Sequence, residues 1–202
     1  LFQGVTNAAG IVYIFIKEIY DTNISFDITY NNQTITKTLE TLPISKEINL
    51  EVSDFVVSNI HILDLALVID TTGSMGDELN YLKVELQNVL ETISKNNVNL
   101  EIRLALIFYR DEGDQYVTRT FNFTNDLSSQ YNNIKNQKAF GGGDTPEAVH
   151  SALNELENLS WSDNSTKIAI HVCDAPPHAG TNYLISVAKS TKVLAQKGVR
   201  VI

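Results

Sequence analysis

The chain has 202 residues, of which 43% are hydrophobic and 19% charged, a balance that fits a folded core and not a disordered segment. Its formal net charge of −9, with no cluster of Lys and Arg, argues against a nucleic-acid or anionic-membrane binder. The lone Cys173 excludes an internal disulfide framework and a multi-thiolate zinc site, and no apolar run approaches the roughly 18–20 residues that span a bilayer.

The chain does not begin with Met and shows no secretory leader, so it reads as a fragment. Its opening Leu1-Phe2-Gln3-Gly4 coincides with part of a common protease-tag site and is left out of the fold reading. A turn at 6–10 leads into a strand-sized apolar run at 11–16. Ile24, Phe26, Ile28 and Tyr30 then alternate with Ser25, Asp27 and Thr29, the period of a half-buried strand. Asn31-Asn32 predicts a hairpin turn, and 33–39 a Thr-rich return strand around Ile35. A shorter strand is expected at 48–52. This is too little for a complete sandwich, so residues 1–58 are expected to form a small, incomplete β-sandwich-like module.

From residue 59 the pattern changes to alternating strand and helix. Residues 63–69 form a nearly continuous apolar run, as in a parallel strand buried on both faces. A helix is predicted over 77–95, with Leu79, Leu82, Leu86, Leu90 and Ile93 on one face and Asp77 and Glu78 in the first turn, where the dipole favours acid. Strands follow at 100–109 and 116–124. The short polar Asp111-Glu112-Gly113-Asp114 between them predicts a hairpin and hence an antiparallel edge strand. A helix is expected over 146–159 with Thr145 as N-cap and Pro146 at its first position. Another central strand is expected at 167–173, then a helix at 183–197 closed by Gly198, and the start of a further strand at 199–202. The fold class is therefore α/β, a doubly wound, mostly parallel sheet with helices on both faces, preceded by the β module.

In such a sheet, ligands bind outside the carboxyl ends of the strands. Asp70 ends the first central strand, with Thr72 and Ser74 close behind; Thr145 follows Gly141-Gly142-Gly143-Asp144; Asp174 ends the strand at 167–173. Adjacent strands ending in Asp bring carboxylates together, and like charges at short range call for a cation. Carboxylates and hydroxyls are hard oxygen ligands, the set that suits Mg²⁺.

The segment Asp70-Thr71-Thr72-Gly73-Ser74-Met75 resembles the Asp-x-Ser/Thr-x-Ser signature of von Willebrand factor A domains. Gly143-Asp144-Thr145-Pro146-Glu147-Ala148 resembles that family's Thr loop, and Cys173-Asp174-Ala175-Pro176 its final Asp segment. Phe108-Tyr109-Arg110-Asp111 resembles a loop found in bacterial and protist members. The resemblance covers residues 60–202. It implies a metal-ion-dependent adhesion site in which Thr72, Ser74 and Thr145 contact Mg²⁺ (or Mn²⁺ or Ca²⁺) through hydroxyls, and Asp70 and Asp174 hold it directly or through water. It further implies a protein or matrix partner that supplies an acidic residue to the ion. The family's sheet normally carries a further strand and a last helix beyond the point where this chain stops, so the domain at 59–202 is expected to be cut at its C-terminus.

Other readings of the same residues stand beside this one. Asp70-Thr71-Thr72-Gly73-Ser74 is also an ordinary strand-end turn capping a helix, which would leave a scaffold with a vestigial metal site. A phosphotransfer enzyme with Asp70 as nucleophile would need an acid where Thr72 stands. A serine hydrolase built on Ser74, His171 and Asp174 lacks the Gly-x-Ser-x-Gly elbow. His171 and Cys173 read as core residues under a helix, His178 as a loop residue, Trp161 as packing at a helix end, and Asp111, Glu112 and Asp114 as a solvated acidic hairpin. The expected function is non-enzymatic, metal-dependent binding in adhesion or assembly, at a bacterial surface or outside the cell.

Overall fold

A computed structural model describes residues 60–202, 23–30 and 33–39, and the single positions 6, 12 and 49. The described residues fall into two compact units, one containing 60–202 and one lying within Tyr13–Asn59.

In the smaller unit, β1 (Ile24–Tyr30) and β2 (Gln33–Leu39) pair antiparallel. Register places Ile24 opposite Leu39 and Ile28 opposite Ile35, so the half-buried apolar residues share one face. The exposed face carries cross-strand polar pairs: Ser25 with Thr38 at 3.0 Å, Thr29 with Thr34 at 2.9 Å, and Thr36 donating to Asp27 at 2.7 Å. The expected strands at 11–16 and 48–52, apart from Val12 and Asn49, and the Asn31-Asn32 turn lie outside the described residues.

The larger unit holds a five-stranded sheet in the order β5-β4-β3-β6-β7. Strands β3 (His61–Asp70), β4 (Leu100–Tyr109), β6 (Ser165–Val172) and β7 (Val199–Val201) run parallel. Strand β5 (Thr118–Thr124) pairs antiparallel with β4 at the edge, as the short acidic connection predicts. Helices α1 (Gly76–Asn96) and α2 (Leu127–Lys135) pack on one face through Leu79, Leu86, Leu90 and Ile134, against Leu65, Leu67, Ile69, Leu104, Leu106 and Phe108. Helices α3 (Val149–Asn158) and α4 (Thr181–Gln196) pack on the other. Ala66, Ala105 and Ala169 lie in register across the central strands and are fully buried, so small side chains let α3 approach through Ala152. Gly198, at φ 73°, closes α4.

The structure adds one helix and moves another. Helix α2 has no counterpart in the sequence reading. Asp126 caps it by accepting from the Ser129 amide at 3.1 Å. From its buried face Gln130 donates to the carbonyls of Leu104 and Asn122, both at 2.9 Å, where the β4–β5 register shifts. Helix α3 starts at Val149 and not at Pro146, with Ala148 as N-cap, so Thr145 does not cap it. The cause is tertiary: the Glu147 amide donates to Pro176 O at 3.0 Å and Glu147 bridges parallel to Pro177, which withholds 145–148 from the helix.

Asp64 is a fully buried carboxylate near the start of β3. Its Oδ2 accepts from the Ser162 amide at 2.7 Å and Ser165 Oγ at 2.8 Å, and its Oδ1 lies 3.2 Å from Arg103. This network ties β3 to the loop entering β6, at the end of the sheet opposite Asp70.

Candidate functional site

The sheet presents the carboxyl ends of β3 and β6 side by side. Asp70 is fully buried at the end of β3. Its Oδ1 accepts from the Thr72 amide at 2.9 Å and from Thr72 Oγ1 at 2.7 Å, which folds the chain back over the carboxylate. Its Oδ2 is buried and has no hydrogen-bond partner. Burial pushes the Asp70 carboxyl up from the usual value and the negative Asp174 adds to the rise, while the Thr72 bonds pull it down. The end of β6 thus acts electrostatically on the end of β3.

The Gly-rich loop lies directly on this turn. Gly73 N donates to Gly141 O at 3.0 Å, and Phe140 N donates to Thr71 O at 3.0 Å. A Cβ on Gly142 would stand 3.0 Å from the Thr72 Cβ and 2.9 Å from Glu147 Oε1, so the loop backbone sits where a side chain would not fit. Thr72 is buried, whereas Ser74, Thr145 and Asp174 are exposed. The segments bearing Asp70, Thr72, Ser74, Thr145 and Asp174 therefore meet at one edge of the sheet, with Asp70 and Thr72 in direct contact.

Residues outside the motif hold this edge in place. Asp114 Oδ2 accepts from the Gly142 amide at 2.9 Å and the Asp111 amide at 3.2 Å, clamping the Gly loop to the β4–β5 hairpin. Arg110 is 4% exposed; it donates to Thr71 O at 3.2 Å and Lys138 O at 2.7 Å and stacks on Tyr116 at 4.3 Å. The Tyr116 hydroxyl in turn bonds Thr71 Oγ1 at 2.7 Å. Glu147 is 3% exposed, and burial, with Asp70, Asp111 and Asp114 adding, pushes its carboxyl up to about 7. Sequence reasoning passed over Glu147 and did not single out Arg110, although the first follows Thr145-Pro146 and the second lies in the Phe108–Asp111 segment.

The histidines and the cysteine take other places. His171 Nε2 and the Tyr109 hydroxyl are 2.8 Å apart, and Nδ1 faces Cys173 Sγ, so both ring nitrogens are engaged away from Ser74. Cys173 lies one residue beyond the end of β6 at Val172 and is exposed, so it is not the core residue under a helix that the sequence suggests. His178 lies 2.6 Å from Asp111, and the Tyr183 hydroxyl donates to Glu112 at 2.9 Å. Asp111 and Glu112 are thus paired residues and not merely solvated ones. A polar cavity of about 430 Å³ opens beside them, lined by Glu112, Thr118, His150, Ser151, Asn154 and Glu155 among others. Trp161 packs beyond the end of α3, donating to Leu156 O at 2.9 Å and meeting Phe123 edge-on.

Among the described residues, no group of three or more His, Cys, Asp or Glu side chains is placed to hold a metal ion. An ion at the Asp70 edge would therefore need a mixed set of carboxylates and hydroxyls. Such donors suit a hard divalent cation, and the buried, unpartnered Asp70 Oδ2 fits one.

Residues 64–196 match the von Willebrand factor A domain family. The chain belongs to that family. It is 37% identical over 138 residues to an ariadne-like RING finger protein, R811, of Acanthamoeba polyphaga mimivirus, a match covering 68% of this chain and 13% of the viral protein. It is 30% identical over 122 residues to the alpha-protein kinase vwkA of Dictyostelium discoideum, covering 60% of this chain and 19% of the kinase. The chain thus spans a small part of the relatives it resembles. The crystal structure of BatB from Bacteroides thetaiotaomicron shares the fold, with a TM-score of 0.53 at 16% identity, over 69% of this chain and 64% of that one. Among the described residues, no helix of this von Willebrand factor A domain is long and apolar enough to cross a membrane.

Proposed function

We propose that this domain is a metal-dependent binding module. A divalent cation, Mg²⁺ first and Mn²⁺ or Ca²⁺ as alternatives, is held by Asp70, Thr72, Ser74, Thr145 and Asp174, and a protein or matrix partner completes its coordination with a carboxylate. The observation that carries this reading is the Asp70 carboxylate, fully buried with one oxygen unpartnered and the negative Asp174 nearby. Burying a carboxylate without a partner is costly, and a cation offsets that cost. When bound, the ion supplies positive charge and an open position for a partner's oxygen. Phe140, 72% exposed beside the Gly loop and anchored through its amide to Thr71, offers an apolar contact next to that position.

A binding role also accounts for the chemistry around Asp70. The residue two positions on is Thr72 and not an acid, and His171 is engaged with Tyr109.

Manganese-induced broadening in amide NMR spectra tests the site. Selective loss of signal from 70–75, 141–147 and 174–176 is expected. Broadening confined to His150 and His178, or none in a folded sample, would contradict it.

A further inference from the structure

The motif residues leave a charge unaccounted for at this edge. Glu147 is 3% exposed, and its Oε2 is buried with no hydrogen-bond partner. Its amide is bonded to Pro176 O at 3.0 Å, which fixes it to the segment that carries Asp174. Its Oε1 lies against the Gly142 backbone at the point where Gly142 meets Thr72. Its charged neighbours, Asp70, Asp111 and Asp114, are all negative. Among the described residues, no Lys, Arg or His forms an ion pair with it.

The Thr72 hydroxyl has one proton to give. The proton goes to Asp70 Oδ1 at 2.7 Å. Glu147 is left as a second buried carboxylate with an unpartnered oxygen, next to the first. Two such groups at one edge of the sheet are compatible with a folded interior when positive charge is shared between them.

We propose that Glu147 is a positioning residue of the cation site: its charge acts on the ion, and its side chain, packed where Gly142 meets Thr72, holds the Gly-rich loop against the segments that carry Asp70 and Asp174. This rests on the metal reading above and adds to it a residue outside the five motif positions. Groups that orient metal ligands typically change affinity by about 10–100-fold when lost.

Calorimetric titration of the full chain and of Glu147→Gln and Glu147→Asp, with Mg²⁺ and with Tb³⁺, tests this. Glu147→Gln keeps the size and removes the charge. It is expected to weaken Mg²⁺ by about 10–100-fold, and to weaken Tb³⁺ by more, the logarithm of the loss being about 1.5 times as large because Coulomb energy scales with cation charge. Glu147→Asp keeps the charge and is expected to recover part of the affinity. Unaltered binding of both ions by Glu147→Gln would overturn the proposal, and so would equal losses for both ions, which mark a merely structural effect. Should Glu147→Gln fail to fold, Glu147→Asp carries the test: because it keeps the charge, affinity as low as for a site mutant such as Asp70→Ala would overturn the proposal. A folded wild-type chain that binds neither ion would instead overturn the metal reading itself.

Discussion

Alanine substitutions along the Gly-rich loop and its neighbouring hairpin separate backbone strain from steric contact at the site. Gly141 has φ +88°, and a Cβ there would lie 2.3–2.5 Å from the carboxyl atoms of Asp114. Asp114 would have to move, giving up its bonds to the Gly142 and Asp111 amides. The left-handed conformation costs a residue with a Cβ about 1–2 kcal/mol. Losing charge-assisted bonds at a half-exposed position adds about 1–2 kcal/mol. Gly141→Ala should thus cost about 3 kcal/mol and lower the unfolding midpoint by roughly 6–12 °C. Gly113 has φ +93° but nothing within 4 Å of the added Cβ, so Gly113→Ala should show the strain alone, roughly 2–8 °C. Gly143 has neither feature, and Gly143→Ala should be nearly neutral. Differential scanning calorimetry of the series gives the order Gly141, Gly113, Gly143. Equal midpoints for the Gly141 and Gly143 variants would refute the reasoning, since they would show that Asp114 does not clamp the loop.

Further outcomes follow from other parts of the fold. Asp64→Ala leaves the Ser162 amide without its acceptor and Arg103 without its ion-pair partner, and should cost about 3 kcal/mol by urea denaturation, the low end for a broken buried pair because Arg103 is partly solvated and keeps its bond to Ser160 O; a loss below about 1 kcal/mol would contradict the network. Arg110→Lys cannot reproduce both carbonyl bonds and the stack on Tyr116, and should cost about 2 kcal/mol and weaken Mg²⁺ binding; wild-type stability would show that the guanidinium is not the brace. The hydrogen bond to Asp111 holds the His178 pKa above its usual 6.5, so this pair's stabilisation is complete below about pH 6.5 and is lost as pH rises through the raised value. Unfolding midpoints at about pH 6 and about pH 8 should therefore differ more for wild type than for His178→Gln, and identical pH dependence above pH 6.5 would contradict the pairing.

Much of the architecture was legible because buried parallel strands leave continuous apolar runs. The stretch 104–109 is such a run, and Gly198 marks the end of α4 through its backbone conformation. Helix α2 was harder to read because its buried face includes Gln130, whose amide serves carbonyls at the irregular β4–β5 pairing, so its apolar signal is confined to Leu127, Tyr131 and Ile134. The start of α3 was misplaced for a different reason. Thr145-Pro146 is good local chemistry for a helix N-terminus, but Pro176 claims the Glu147 amide from a distant part of the chain. At the site, Asp70 and Thr72 stand out as the polar end of an apolar strand. Asp114, Arg110 and Glu147 do not, because their importance comes from contacts made across loops that sequence spacing does not encode.

The most direct test of the central claim is calorimetric titration of Mg²⁺ into the wild-type chain and into Asp70→Ala and Asp174→Ala, each shown by circular dichroism to be folded. The account predicts saturable binding by the wild type that disappears in both variants. A folded wild-type chain that binds no Mg²⁺, or variants that bind it as well as the wild type, would contradict it.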